Sequence, residues 1–327
     1  MRTARCLMRK IACVSLLALI VCSSAFAQHY PNQPIRLVMP AAAGSVSDVV
    51  ARKLTDSVSK SLGQSVIVDN RPGANGFIAA EAVARAKPDG YNLLYASSNI
   101  LCVNPALFTK LPYDPSRDFV PISLIARGYP LLVVSPRLPV KTLTEFIEYA
   151  KARPRQVTYG SPGVGTIAHL AMKLLEQLTG VEMVHVPYKN APQILTDLMG
   201  GQIDAAIDFA SVTTPHIKTG KMRALVIVGP SRKPALPDVP TAAEVGLPGF
   251  ELAGWSGLMA PVGTPPEIIA ALNKAMVTAL KQPQFVQWIS AFASEATPST
   301  PEEFAAYIKA EIPKFTKIIK TAKIQLD

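Results

Sequence analysis

The chain has 327 residues, 49% of them hydrophobic and 7% aromatic, with 33 Lys and Arg against 23 Asp and Glu for a net charge of +10. That length is enough for two lobes of roughly 100–200 residues each. A basic balance alone would admit nucleic acid as a partner, but the N-terminus argues against it. Arg2, Arg5, Arg9 and Lys10 form a basic region, residues 11–22 an apolar one, and Ala25-Phe26-Ala27 a small-x-small cleavage pattern before Gln28. This is the form of an export signal, so residues 1–27 are expected to be removed and the protein to work in the periplasm. The apolar run is short for a membrane span, and no later stretch reaches the ~18 apolar residues that one needs. Leu19-Ile20-Val21-Cys22 departs from a lipidation box at the branched Val21.

Cleavage leaves 300 residues at net charge +6, with Cys102 as the remaining cysteine. The mature chain therefore forms no internal disulfide, has no zinc-type cysteine pattern, and depends on a packed core, which this length supplies.

Short β-like runs then alternate with helical patterns. Residues 35–39 read as a strand and 40–47 as a loop. A helix follows with Val50, Leu54, Val58 and Leu62 on one face, Ser47 as its expected cap and Gly63 as its end. Residues 66–68 read as a strand, 70–75 as a turn-rich loop, 77–86 as a helix and 91–96 as a strand. Thr142-x-x-Glu145, Thr264-x-x-Glu267 and Thr300-x-x-Glu303 have the capping-box form, the last two with Pro at the first helical position. Residues 166–179 read as a helix stopped by Gly180, and Asn190 as the cap of a helix closed by Gly200-Gly201. Residues 203–209 and 223–228 read as strands, and the C-terminal run with Lys314, Lys317, Lys320 and Lys323 as an amphipathic helix on the first lobe. The alternation predicts an α/β fold with mainly parallel sheets. No flexible linker is visible, so the lobes are expected to be joined by crossing strands at residues 121–134 and 254–260. The first lobe would then hold residues 28–126 and 253–327, and the second 127–252.

Two segments have the form of anion sites. Ala43, Gly44, Ser45 and Ser47 sit between a strand and a helix start, where free amides and the positive end of the helix dipole gather. Ser161, Gly163, Gly165 and Thr166 repeat the arrangement after the strand at residues 156–159, with glycines that allow close backbone approach. One such loop from each lobe, facing one cleft, would clamp a carboxylate from both sides. His169, one turn into the second helix, either reaches the cleft or packs. Ser97, after the third strand, Tyr188 and Trp255 are further candidates, with core packing the simpler account of Trp255. Asp204 and Asp208 share a strand face; Asp208 lies at the strand's C-terminal end, where α/β ligand sites gather.

Other chemistries find little in the chain. Gly163-x-Gly165-x-x-Ala168 matches a dinucleotide fingerprint in part, yet the strand at residues 183–186 runs into Pro187-Tyr188 where an acidic residue is expected. There is no Gly-x-Ser-x-Gly elbow, the histidines are scattered, and Cys102 reads as a small buried residue. No cofactor and no metal are expected.

Six segments carry a resemblance over essentially the whole mature chain: Asp69-Asn-Arg-Pro-Gly-Ala-Asn-Gly76, Lys87-Pro-Asp-Gly-Tyr91, Ser161-Pro-Gly-Val-Gly-Thr-Ile-Ala-His-Leu170, Val186-Pro-Tyr-Lys189, the run 236–249 and Gly254-Trp-Ser-Gly-Leu258. In this order and spacing the chain resembles the Bug-type solute receptors, the substrate-binding components of tripartite tricarboxylate transporters. The resemblance implies a monomeric, two-lobed periplasmic binding protein of type II-like form that closes on its ligand and breaks no bond. It implies a carboxylate held mainly by backbone amides and ordered waters from the two helix-start loops, with Asp208 at the position that selects among amino acids, nicotinate-like aromatics and di- or tricarboxylates. The partner would be a membrane transporter or, alternatively, a membrane sensor; a secreted hydrolase is the rival class. Two departures from the family pattern are Gly44-Ser45-Val46, in place of paired glycines, and Tyr188-Lys189-Asn190, in place of Tyr-Lys-Gly. Ser45 either blocks the closest backbone approach or adds a hydroxyl contact.

Overall fold

The computed structural model describes residues 30–189, 191–290 and 294–326; the expected export signal and the expected cap Asn190 lie outside them. In chain order the first half runs β1 (Ile35–Met39), α1 (Val46–Leu62), β2 (Val66–Asn70), α2 (Phe77–Ala84), β3 (Asn92–Ser97), the short α3 (Asn104–Leu107), β4 (Phe119–Gly128), β5 (Pro130–Val134), α4 (Leu143–Lys151), β6 (Thr158–Ser161) and α5 (Ile167–Thr179). There follow β7 (Val184–Pro187), α6 (Ala191–Gly200), β8 (Ala205–Phe209), α7 (Ala210–Lys218), β9 (Arg223–Ile227), β10 (Gly254–Pro261), α8 (Pro266–Leu280), α9 (Pro283–Ser290), β11 (Ser294–Ala296) and α10 (Pro301–Thr321).

The strands form two sheets with flanking helices, one per lobe. The first has the order β11-β4-β10-β3-β1-β2 and the second β7-β6-β8-β5-β9. The lobes are α/β as expected, but each sheet is mixed rather than mainly parallel. β1 pairs parallel with β2 and β3, and β6 with β7 and β8. By contrast β4, β10 and β11 join the first sheet antiparallel, as β5 joins β8 and β9 in the second. The reason is the chain path. Parallel neighbours need a helical crossover, which the βα units supply, whereas β5 and β10 enter from the other lobe and run against the βα strands beside them. The two lobes are joined where β4 passes into β5 at Tyr129 and again where the segment after β9 returns to β10.

Local signals placed most helices. In α1 the residues Val50, Leu54 and Val58 are buried, and Gly63 caps the helix at φ 67°, a conformation that favours glycine. Its N-cap is Ser45 rather than the expected Ser47: the Ser45 hydroxyl accepts the Asp48 amide. Thr300 forms the complete reciprocal box with Glu303. Thr142 caps the Glu145 amide, but the Glu145 carboxylate reaches back to the Lys141 amide instead. At Thr264 the box does not form. The cap position falls on Pro265, and the Thr264 hydroxyl donates to Pro261 O at 2.7 Å.

α10 carries its four lysines in water, while Phe304 and Phe315 are fully buried, each contributing about 2–3 kcal/mol. It packs on β4 of the first sheet and also on α5 of the second lobe, where the Gln177 side-chain amide donates to Ile318 O at 2.9 Å. The terminal helix thus touches both lobes, a correction to its expected place on the first alone.

Candidate functional site

A cavity of about 870 Å³ opens between the two sheets. The first lobe supplies its floor. Tyr95 on β3 donates its hydroxyl to Ser256 on β10 at 2.9 Å, and Ser97 closes the end of β3 at the lining. The second lobe supplies the opposite wall from Asp208 and Phe209 at the end of β8 and from Ser211, Val212 and His216 on α7. Asp208 therefore stands at the carboxyl end of its strand beside the cavity. The Phe209 amide donates to its Oδ1 at 2.7 Å. Burial pushes its carboxyl up to about 6, against a smaller opposing effect of that amide.

Both helix-start segments meet the cavity at their first turns, through Val46 and Ser47 of α1 and Ile167 of α5. The preceding loop residues Ala43, Gly44, Ser45, Gly163, Gly165 and Thr166 are not among the lining residues, and Ala43 and Gly44 are exposed. The caps explain this division. Ser45 and Thr166 turn their hydroxyls back onto the Asp48 and His169 amides, and Gly44 N–H donates to Asp48 Oδ2 at 2.9 Å. The first helical amides, at Val46–Ser47 and Ile167–Ala168, have no intrahelical acceptor by construction.

Each loop is held from inside. Asp48, 2% exposed, takes the Gly44 amide, the Arg52 Nε at 3.0 Å and the Asn70 side-chain amide at 2.8 Å. The Arg52 hydrogen bond, with help from Asn70 and Gly44 and against burial, holds its carboxyl down at about 2. This positioning residue stood unassigned in the sequence. Ser45-x-x-Asp48 is a shortened capping box, and that was its one local signal. In the second lobe Gly165 N–H donates to His169 Nδ1 at 3.2 Å. His169 is 3% exposed and stacks on His185 with ring centroids 4.2 Å apart; burial, then the neighbouring His185, lowers its ring to about 3. Of the two readings left open for His169, packing is the one found. Ser161 is likewise internal, its hydroxyl 2.7 Å from His185 Nε2. Tyr188 donates its hydroxyl to Asp197 at 2.8 Å and stands off the lining.

Among the expected site residues, then, Ser47, Ser97 and Asp208 share the cavity wall, and the remaining nine are not among its lining residues. Trp255 is core, 4% exposed, with an edge at the lining. Asp204 does not join Asp208; its carboxylate accepts the Thr158 amide and hydroxyl. The lining also holds Asn75, Ser98, Asn99, Ser256 and Ser294, which strand and helix periodicity gave no means of selecting.

Residues 50–324 match the family described as tripartite tricarboxylate transporter family receptor. The chain is 36% identical over 301 residues to the protein BugT of Bordetella pertussis, covering 92% of each chain. Among solved structures it is similar to R. palustris Rpa4515 with adipate, at 35% identity and TM-score 0.81, over 90% of this chain and 99% of that one. It is also similar to MatC of Rhodopseudomonas palustris with bound malate, at 34% identity and TM-score 0.77, over 89% of this chain and all of that one.

Proposed function

Since the chain belongs to the tripartite tricarboxylate transporter family of receptors, we propose that it captures a small carboxylate in the periplasm and delivers it to a membrane transporter of that type. Residues 28–126 and 253–327 act as one lobe and 127–252 as the other, and the two close about the crossing strands. A monomer performs this function, without a cofactor and without making or breaking a bond. Among the described residues no helix is long and apolar enough to cross a membrane.

The observation that supports the reading is the approach of two helix N-termini, one from each lobe, to a single cavity. Each terminus carries about half a positive charge and free amides, so a carboxylate between α1 and α5 is bound from both sides and favours the closed arrangement. Gly44, Ser45, Gly163, Gly165 and Thr166 shape those termini, and Ser47, Ser97 and Asp208 meet the solute. Two family members of similar structure hold adipate and malate, which supports a carboxylate as the ligand class.

The test is a thermal-shift panel of mono-, di- and tricarboxylates, amino acids and nicotinate on protein refolded to strip carried-over solute. A carboxylate at 100 times its Kd adds about 2.7 kcal/mol and raises Tm by several degrees. A panel in which no carboxylate moves Tm counts against the receptor reading.

A further inference from the structure

Resting on the receptor reading above, we propose that Asn99 is a positioning residue: it reaches from the first lobe to the loop ahead of α5 and holds the Gly165 carbonyl, so that approach of the lobes and alignment of the α5 amides occur together.

The contact is a hydrogen bond between lobes. Asn99 follows β3 of the first sheet and lines the cavity. Its side-chain amide donates to Gly165 O, beyond β6 of the second sheet, at 3.3 Å. A carbonyl only accepts, so the amide presents its NH2 group to the loop. Gly165 is buried, and a buried residue needs partners for both its peptide groups. The N–H finds one within its own lobe, at His169 Nδ1. The C=O finds its partner in the opposite lobe. Holding that oxygen fixes the plane of the Gly165–Thr166 peptide. Thr166 is the N-cap of α5, so this plane sets where the first free amides of the helix point.

The first lobe holds Asn99 firmly. A π-helical turn spans Asn99–Val103, a form found mostly at functional sites. Tyr113 donates its hydroxyl to Ile100 O within the turn at 2.9 Å. Asn104, 1% exposed, donates its side-chain amide to the Tyr113 hydroxyl at 3.0 Å and to Asn75 O at 3.1 Å. These bonds tie the turn to Asn75, which also lines the cavity. Leu107, at the end of α3, adds a second contact, since a Cβ on Gly165 would overlap its side chain. One buried cluster runs from Leu94 and Ala96 on β3 through Leu107 to Tyr159 on β6 and Leu170 on α5. The lobes pivot on this shared core, and Asn99 acts where the core meets the cavity.

The bond is made between protein groups, so it favours closure equally for every solute. Losing a neutral hydrogen bond shifts a two-state population about five-fold, and apparent affinity scales with the competent fraction. At 3.3 Å the bond lies at the long, weak end of its range, so the lobes can still part for release.

The experiment measures the distance between spin labels at Lys53→Cys on α1 and Thr196→Cys on α6, both exposed; Cys102 is fully buried and stays unlabelled. In stripped protein, Asn99→Ala is expected to raise the long-distance population about five-fold with little change in Tm. Asn99→Asp, of equal size and with a carboxylate that repels the Gly165 carbonyl at pH 7, is expected to raise it further. Calorimetric titration with adipate, malate, nicotinate and L-leucine is expected to show one common loss factor for those that bind. An unchanged distance distribution in both variants overturns the inference. Retained affinity, or a changed ranking of the solutes, overturns it too; the latter would place Asn99 against the solute itself. The distance measurement uses no solute, so it decides the inference even where all four probes fail to bind, and failure across the wider carboxylate panel counts against the receptor reading alone.

Discussion

Gly254 pairs with Gly128 in antiparallel register, and the ring of Phe209 from the other lobe lies over both. A Cβ at either glycine would come within 3.1 Å of that ring. The pair sits where the chain passes between sheets, next to Pro130, which itself pairs with Phe209. Phe209 also lines the cavity, so the crossing strands and the ligand wall share one side chain. Gly254→Ala is expected to push the ring into the cavity and to weaken solute binding about ten-fold. Its cost to stability should be small, since a shift of a few tenths of an ångström relieves the contact. Calorimetric affinity beside Tm checks this, and an unchanged affinity would show that the ring is not coupled to the wall.

Asp208 should limit the stability of the empty protein. Burial raises its carboxyl from 3.8 to about 6, so between those values the unfolded chain has released a proton that the folded chain retains. Stability therefore falls as pH rises from about 4 to 6 and stays lower above it, by at most about 3 kcal/mol. Asp208→Asn is expected to raise Tm relative to the wild type at pH 7 and to lose that advantage at pH 4, measured without solute. His216, on the same cavity wall, is present in both proteins, so their difference isolates Asp208. A Tm difference independent of pH would contradict the burial argument.

The opposite dependence is expected at Asp48. Arg52 first, then Asn70 and the Gly44 amide, hold its carboxyl down at about 2. The stabilisation is therefore fully present above about pH 4 and is lost as pH falls through 2. Asp48→Ala removes the acceptor of the Gly44 amide, of Arg52 Nε and of one of the two Asn70 side-chain amide bonds, while Arg52 keeps Asn70 Oδ1 and Asn70 keeps Ala41 O, and should cost about 2–4 kcal/mol at pH 7. Urea midpoints of the two proteins should converge at pH 2. Affinity should also fall, because Gly44 and the first turn of α1 lose their anchor.

The packing of α10 gives a sharper structural check. Gly257 on β10 leaves room for the Phe304 ring, which a Cβ there would overlap. Gly257→Ala is expected to destabilise by about 2 kcal/mol. Adding Phe304→Leu, which is smaller and branched, should recover part of that loss in a double-mutant cycle. Strict additivity of the two changes would mean that the ring does not occupy this space.

Residue pattern alone settled what depends on near neighbours. The apolar stripe Val50-Leu54-Val58, the glycine stop at Gly63, the Thr300 box and the strand–helix alternation all report contacts within a few residues, and the structure keeps each of them. The resemblance of its six segments likewise pointed to the family that residues 50–324 match. Tertiary structure decided what depends on distant ones. Strand direction in β5 and β10 follows from the chain's arrival from the other lobe, and no local period encodes that. The cap at Ser45 rather than Ser47 follows from Asp48, whose partners include Asn70, 22 residues away in sequence. The composition of the cavity wall, with Asp208 and His216 facing Val46 and Ser97 across two lobes, is a property of the gap between sheets. Such a gap is set by packing over the whole chain, and packing is where short-range sequence signals lose their hold.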